Sequence, residues 1–380
     1  MLETVLAVYC HWLLWRWSQQ LPQEHWLRRH APRVRKAAIG IGFLAGFGLM
    51  LQIPLLWQHL PGGTAVHWFR GGAVIWAMIV VGTTVILYGL RFVPHPTAIE
   101  NPGRRKLLQA AKAVAIASPA LATGFGVFVE RRSIRLATQD LHIPGLHPDL
   151  NGFRITQISD IHLSPFLSEK ELAYAVDLAN DTKPNLMVMT GDLITREGDP
   201  LDACIRQLAR LKADLGVYGC NGNHEIYANC EEYVQRECAR RGVNFLRQQK
   251  IVLERGKARL NLAGVDYQRG SNPDLSAAEN LIDAQAGRFN LLLSHNPAVF
   301  DKAAAQGWDL TLSGHTHGGQ VSVEILHQHL NIARFYTPYT YGNYSQGKSQ
   351  IFVTRGVGTV GVPARIGAPP EIAAIRLWSA

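Results

Sequence analysis

The 380-residue chain contains no Cys-x-x-Cys, and its five cysteines, Cys10, Cys204, Cys220, Cys230 and Cys238, are odd in number. That pattern argues against a disulfide framework and against a zinc–thiolate site. The thiols read instead as small buried hydrophobes. Charge is also scarce: charged residues make up 18% of the chain and hydrophobic ones 47%, against a charged share of about 25% in soluble proteins. No Asp, Glu, Lys or Arg occurs between Ala37 and Phe69. The net charge of +9 is confined to the first third, since residues 1–141 hold 15 Lys and Arg against 5 Asp and Glu, whereas residues 142–380 hold 23 against 24. A nucleic-acid groove would need positive charge on the folded domain, which is neutral, so no nucleic acid is expected as a partner.

The N-terminal third reads as a membrane region, 1–135, with three or four hydrophobic helices. Ala37–Trp57 and Gly71–Leu90 each reach the length of about 20 apolar residues that a hydrocarbon core requires, and Pro61-Gly62-Gly63 breaks the chain between them. Gly40, Gly42, Gly46 and Gly48 would let another helix approach closely. Leu2–Trp15 is apolar but short, and Trp12, Trp15 and Trp17 suit a membrane interface. Leu107–Val129 follows Arg104-Arg105-Lys106, and is expected to remain as an anchor. Basic residues concentrate in 16–36 and 91–106, while the loop at 58–70 has only Arg70. The positive-inside rule then puts 16–36 and 91–106 in the cytoplasm and the domain after Leu107–Val129 outside, on the periplasmic face of an inner membrane. A cytoplasmic domain is the alternative if that last segment lies on the surface.

From about His142 short β-rich runs alternate with polar segments of helical period, the pattern of an α/β domain. A linker leading into the domain is expected at 136–150, and the domain itself at 151–380. Strands are expected at Phe153–Ser159, Leu186–Thr190, Val217–Cys220, Arg259–Val265, Phe289–Ser294, Asp309–Ser313, Ile351–Thr354 and Ile372–Leu377. Helices are expected at Ser168–Asp181, Pro200–Asp214, Asn229–Arg241, Ser276–Asp283 and Pro297–Gln306, with Ser168 and Glu171 forming a capping box.

Polar residues cluster directly after the strands, where open α/β sheets build their sites. Asp160-Ile161-His162 comes first. A β-strand puts residues i and i+2 on one face, so this pair can point at one spot. The same spacing recurs at His315 and His317. Between them stand Gly191-Asp192, Gly222-Asn223-His224-Glu225 and His295. Mixed O and N ligands without thiolate suit divalent Mn, Fe, Zn or Mg.

These five blocks together resemble the signature of the calcineurin-like metallophosphoesterases. Arg355-Gly-Val-Gly358 and Pro369-Pro-Glu-Ile372 are similar to a membrane-associated bacterial branch of that family. The resemblance implies a sandwich of two mixed β-sheets flanked by helices, preceded here by an all-α transmembrane region. It implies two divalent metal ions, with Asp192 bridging them. Asp160, His162 and His317 would complete one site, and Asn223, His295 and His315 the other. His224 would be catalytic, protonating the leaving oxygen or stabilising equatorial charge. The substrate implied is a phosphorylated small molecule or a lipid-linked phosphate. Relatives that cleave UDP-diacylglucosamine at its pyrophosphate are one model, and a phospholipid or undecaprenyl-type phosphate is another; membrane lipids are the neighbouring partner.

Other residues have plainer readings. Glu225 either orients a ligand or makes a loop salt bridge, and Asp266 is either structural or orients a ligand in the same way. Tyr336, Tyr339, Tyr341 and Tyr344 are expected to cover the core, and Arg355 and Arg365 to lie at the surface. A different class of function, a non-catalytic metal-stabilised module tethered to a membrane complex, predicts the loss of a ligand or of His224, and none is missing. A transporter would want polar residues within the spans, which have almost none.

Overall fold

A computed structural model describes residues 2–19, 31–50, 63–93, 99–283, 285, 287–322 and 331–380. The chain divides into two compact units, Met1–Val129 with Gly361–Ala364, and Glu130–Val360 with Arg365–Ala380.

The first unit contains four helices among the described residues: α1 (Leu2–Ser18), α2 (Ala31–Met50), α3 (Thr64–Gly89) and α4 (Pro102–Phe128). Two segments, Thr64–Phe92 and Pro102–Arg132, are long and apolar enough to cross a membrane, each holding an 18-residue stretch whose mean hydropathy is 2.2 and 1.6 respectively. Asn101 caps α4 by accepting from the N–H groups of Gly103 and Arg104, with Pro102 in the first turn where its missing donor is harmless. The expected span at 37–57 is helical as far as Met50, and 51–57 lie outside the described residues. Two of the four glycines stand where a side chain would crowd a neighbouring helix. A Cβ at Gly48 would stand 2.7 Å from Ala73 of α3, and one at Gly42 would press on the His11 ring of α1 at 3.1 Å, whereas Gly40 faces open space.

The second unit is a sandwich of two six-stranded sheets. The first takes β1 (Arg135–Ile143), β2 (Phe153–Ile158), β3 (Leu186–Thr190), β4 (Val217–Cys220), β5 (Val243–Phe245) and β12 (Glu371–Ser379), in the order β1-β12-β2-β3-β4-β5. The second takes β6 (Gln249–Arg255), β7 (Ala258–Gly264), β8 (Arg288–Leu293), β9 (Leu310–Ser313), β10 (Gly342–Gln346) and β11 (Ser349–Val353), in the order β10-β11-β9-β8-β7-β6. Both are mixed: β2, β3, β4 and β5 run parallel, as do β7, β8, β9 and β11, while β12 pairs antiparallel with β2.

Alternate residues of the strands meet between the sheets, as the two-residue period of a strand requires. Phe153 and Ile155, Leu186 and Val188, Leu260 and Leu262, and Leu291 and Leu293 share this layer. Each such side chain contributes about 1.5–3 kcal/mol when fully buried. The outer face of the first sheet is covered by α5 (Glu169–Asp181), α6 (Leu201–Leu208) and, beyond the short α7 (Asn223–Tyr227), α8 (Glu231–Ala239). The second sheet is covered by α9 (Ser276–Glu279) and α10 (Phe300–Gln306), with Trp308 wholly buried beneath them. The Ser168–Glu171 capping box forms as expected.

All eight expected strands are present, and the four unexpected ones, β1, β5, β6 and β10, are the four sheet edges. The stretch expected as a linker, 136–150, thus carries most of a nine-residue strand that pairs with β12 along its whole length. Only Leu141 and Ile143 of β1 are buried, so no continuous apolar run marks it. The expected helix Pro200–Asp214 ends at Leu208, and Asn229–Arg241 shrinks to Glu231–Ala239.

Candidate metal centre

Every candidate ligand leaves the carboxyl end of a central strand: Asp160 and His162 after β2, Asp192 after β3, Asn223 and His224 after β4, His295 after β8, and His315 and His317 after β9. The backbone solution differs from the one the spacing suggests. β2 stops at Ile158, and Asp160 and His162 are not extended but left-handed, at φ 52° and 47°. Asp192 (58°), His315 (73°) and His317 (52°) adopt the same conformation. Each left-handed non-glycine residue costs on the order of 1 kcal/mol and persists only where its surroundings impose it. Here backbone bonds do so: Asp160 N–H donates to Gly191 O and His162 N–H to Asp192 O, both at 3.0 Å.

Glycines admit the close approach. A Cβ on Gly222 would overlap Asp192 Oδ1, and one on Gly314 would overlap Ser159 Oγ and Asp160 Oδ2. The vacated space is used. Asp192 Oδ1 accepts from His224 N–H at 2.9 Å, and Asp160 Oδ1 from His315 N–H at 2.9 Å.

Three groups of side chains bring their ligand atoms within 4.8 Å of one another: Asp160, His162 and His317; His162, Asp192 and His224; and Asp192, His295 and His315. Asp192 Oδ2 is 3.1 Å from His295 Nε2 and 3.5 Å from His162 Nε2, so it stands between the outer groups. His162 Nε2 and His317 Nε2 are 3.1 Å apart, as are His315 Nδ1 and His295 Nε2. Ligands about 2.1 Å from a shared tetrahedral or octahedral ion are separated by about 3.0–3.4 Å.

The donor set also fits a divalent metal on unsatisfied polarity. Among the described residues, Asp160 Oδ2 and Asn223 Oδ1 are buried and have no hydrogen-bond partner. Burial lowers His162 and His315 to about 3 and His317 well below its ordinary value, leaving neutral rings with a lone pair to offer. Burial raises Asp160 to about 6, against the opposing pull of the His295 imidazole. Burial also works to raise Asp192, but the His295 and His224 imidazoles outweigh it and hold the carboxyl well below its usual range.

Surrounding groups orient the rings. His295 Nδ1 donates to Thr190 O, which turns Nε2 toward Asp192. His224 Nδ1 meets Thr195 O, leaving Nε2 4.0 Å from Asp192 Oδ2, and Thr195 Oγ1 lies 3.3 Å from His162 Nδ1. The two rings His162 and His224 meet edge-on with centroids 4.7 Å apart.

Of the residues with open readings, Glu225 orients the bridging position. Its buried carboxylate accepts from the N–H groups of Asp192, Leu193 and Gly222. Asp266 pairs instead with Arg247 at 2.9 Å and accepts from Asn221. Tyr339 and Tyr344 cover the core beside Phe300, but Tyr336 packs against His315, with Tyr267 on the same ring. Arg355 is half-buried, its guanidinium 3.6 Å from the Tyr341 ring centroid. Arg365 overturns its expected surface placement, being fully buried. It lies in a Gly- and Pro-rich stretch, which gave no sign of this.

The two-sheet sandwich carries a carboxylate- and imidazole-lined floor at its strand ends, a donor set that suits divalent metals. A family model, calcineurin-like phosphoesterase, matches residues 153–319. An uncharacterized metallophosphoesterase of Aquifex aeolicus is 30% identical over 242 residues, spanning 60% of this chain and 87% of that one. The uncharacterized metallophosphoesterase YkuE of Bacillus subtilis is 29% identical over 282 residues, spanning 70% and 94%. A transmembrane protein with metallophosphoesterase domain of Bos taurus is 28% identical over 262 residues, spanning 64% of this chain and 57% of that one. The chain belongs to the calcineurin-like metallophosphoesterase family, and as such is a metal-dependent phosphohydrolase.

Proposed function

We propose that this domain hydrolyses a phosphodiester or pyrophosphate on a membrane-associated substrate, using two divalent ions, Mn, Fe, Zn or Mg. The observation that carries the reading is Asp192 Oδ2, which lies between the two outer ligand groups, 3.1 Å from His295 Nε2 and 3.5 Å from His162 Nε2. Asp160, His162 and His317 with Asp192 would hold one ion, and Asn223, His295 and His315 with Asp192 the other. When bound, the ions supply an acidified water and neutralise charge on the phosphoryl oxygens.

The chain's own groups do the rest. Thr195 O fixes His224 Nδ1, so that His224 Nε2 is the atom presented to substrate. There it protonates the leaving oxygen or donates to an equatorial phosphoryl oxygen. His224 remains partly exposed, whereas His162 beside it is wholly buried, which suits one to substrate and the other to metal.

The membrane-associated substrate is supported by the two long apolar helices that precede the domain. The basic flanks at 16–36 and 91–106 favour an inner-membrane protein whose domain faces the periplasm. A lipid-linked phosphate or pyrophosphate fits that setting.

The test uses detergent-solubilised protein stripped of metal. It should lose hydrolysis of bis-p-nitrophenyl phosphate and regain it with Mn²⁺. Hydrolysis that persists without metal would overturn the reading. A screen of lipid extracts and nucleotide sugars on the same preparation then identifies the substrate class.

A further inference from the structure

Arg365 is fully buried and, among the described residues, has no carboxylate within ion-pair distance. A guanidinium carries five N–H donors and no acceptor. Nε donates to Gly358 O at 3.0 Å, and Nη1 to His317 O at 2.9 Å and Ala368 O at 3.2 Å. Nη2 donates to Arg355 O at 2.8 Å and to Gly358 O, and stands 3.2 Å from His317 Nδ1. One side chain thus gathers three separate segments, at 317, 355–358 and 368.

Two of those segments hold the same candidate metal site from opposite sheets. His317 follows β9 of the second sheet. The 355–358 strap binds the segment after β2 of the first sheet, where Val357 N–H donates to Ser159 O at 3.0 Å and Gly358 N–H to Asp160 O at 2.7 Å. The guanidinium therefore links Asp160 and His317 across the sandwich. The same guanidinium grips the His317 carbonyl and stands 3.2 Å from Nδ1, the ring nitrogen turned away from His162 and Asp160.

We propose that Arg365 is the positioning residue of the Asp160–His162–His317 site, fixing its width across the two sheets, and that it leaves the Asn223–His295–His315 site untouched. The inference rests on the two-ion reading above.

The test measures Mn²⁺ affinity by the free-ion electron paramagnetic resonance signal, on the full detergent-solubilised chain. His315→Ala leaves the first site as the intact one, and His317→Ala the second. Arg365→Lys keeps the charge and removes the fork, so its effect reads geometry alone. In the His315→Ala background it should weaken Mn²⁺ binding by about tenfold or more. In the His317→Ala background the change should stay below about twofold. Equal weakening in both backgrounds, or none in the first, would overturn the proposal. If the lysine variant does not fold by circular dichroism, Arg365→Gln takes its place with the same expectation for the two sites. If neither folds, Arg365 belongs to the stability of the domain and the proposal fails. A parent chain that binds no Mn²⁺ at all counts against the metal centre itself, which keeps the two failures apart.

Discussion

The buried carboxylate of Glu225 accepts from the backbone N–H of Asp192 at 2.9 Å and of Leu193 at 2.7 Å. It therefore holds the left-handed turn that carries Asp192 from the side away from the metal groups. A third bond, from Gly222 N–H at 2.7 Å, ties in the loop after β4. Glu225→Gln puts an amide donor against one of these N–H groups. The variant should lose about 1–3 kcal/mol of stability, and bind Mn²⁺ about tenfold more weakly or worse. Thermal melts with and without Mn²⁺ measure both, and an unchanged affinity would reduce Glu225 to a loop support.

Asp192→Asn should damage activity more than the loss of any outer ligand, because its Oδ2 lies between a ligand of each outer group, His162 and His295. Compared with His315→Ala, kcat/KM on bis-p-nitrophenyl phosphate should be at least about tenfold lower, about 1.4 kcal/mol more of barrier. Bound metal, measured by elemental analysis, should fall below that of His315→Ala. Equal effects of the two changes would argue against a shared carboxylate.

Metal binding to the stripped protein should release protons. Burial works to lower the His295 imidazole, but the facing Asp192 carboxylate outweighs it and lifts the group to about 9, above the ordinary 6.5. The raised value means that this pair stabilises the metal-free fold fully below about pH 6.5, and that the contribution is lost as pH rises through about 9. An ion at His295 Nε2 replaces that proton, so Mn²⁺ affinity should climb between those limits. Titration calorimetry in two buffers of different ionisation enthalpy should give different apparent heats near pH 7.5; identical heats would contradict it.

Gly314→Ala should act locally. The added methyl meets Ser159 Oγ and Asp160 Oδ2, and overpacking of this kind costs about 1–3 kcal/mol. Melting should fall accordingly, with Mn²⁺ stoichiometry reduced at the Asp160 group. Retention of full stoichiometry would show that the segment after β2 can yield.

A reporter fused after Ala380 should give an exported signal, following the basic flanks at 16–36 and 91–106. A cytoplasmic signal would reverse the proposed sidedness without touching the chemistry.

The interior of this fold was legible in the sequence and its margins were not. β2, β3, β8 and β9 are buried on both faces, so Ile155, Val188, Leu291 and Leu312 fall in dense apolar runs. The edge strands β1, β5, β6 and β10 bury few residues or are only three to five residues long, and read as ordinary loop. At the site, residue types at strand ends were readable, but the way they converge was not. Strand alternation suggested a same-face pair at Asp160 and His162, whereas left-handed backbone held by Gly191 O and Asp192 O brings them together. Arg365 and Thr195 act through atoms distant in sequence, so no local spacing announces them.

The position of β12 has a consequence for how the domain is made. The last nine-residue strand of the chain, Glu371–Ser379, lies between β1 and β2 and is paired on both sides. Until those residues leave the ribosome, β1 has no neighbour and β2 presents an open edge, a template for mispairing. The first sheet therefore closes only once Glu371–Ser379 has emerged. If the domain crosses a membrane while it is being made, it does so as an unfinished sheet, and completes its folding on the far side.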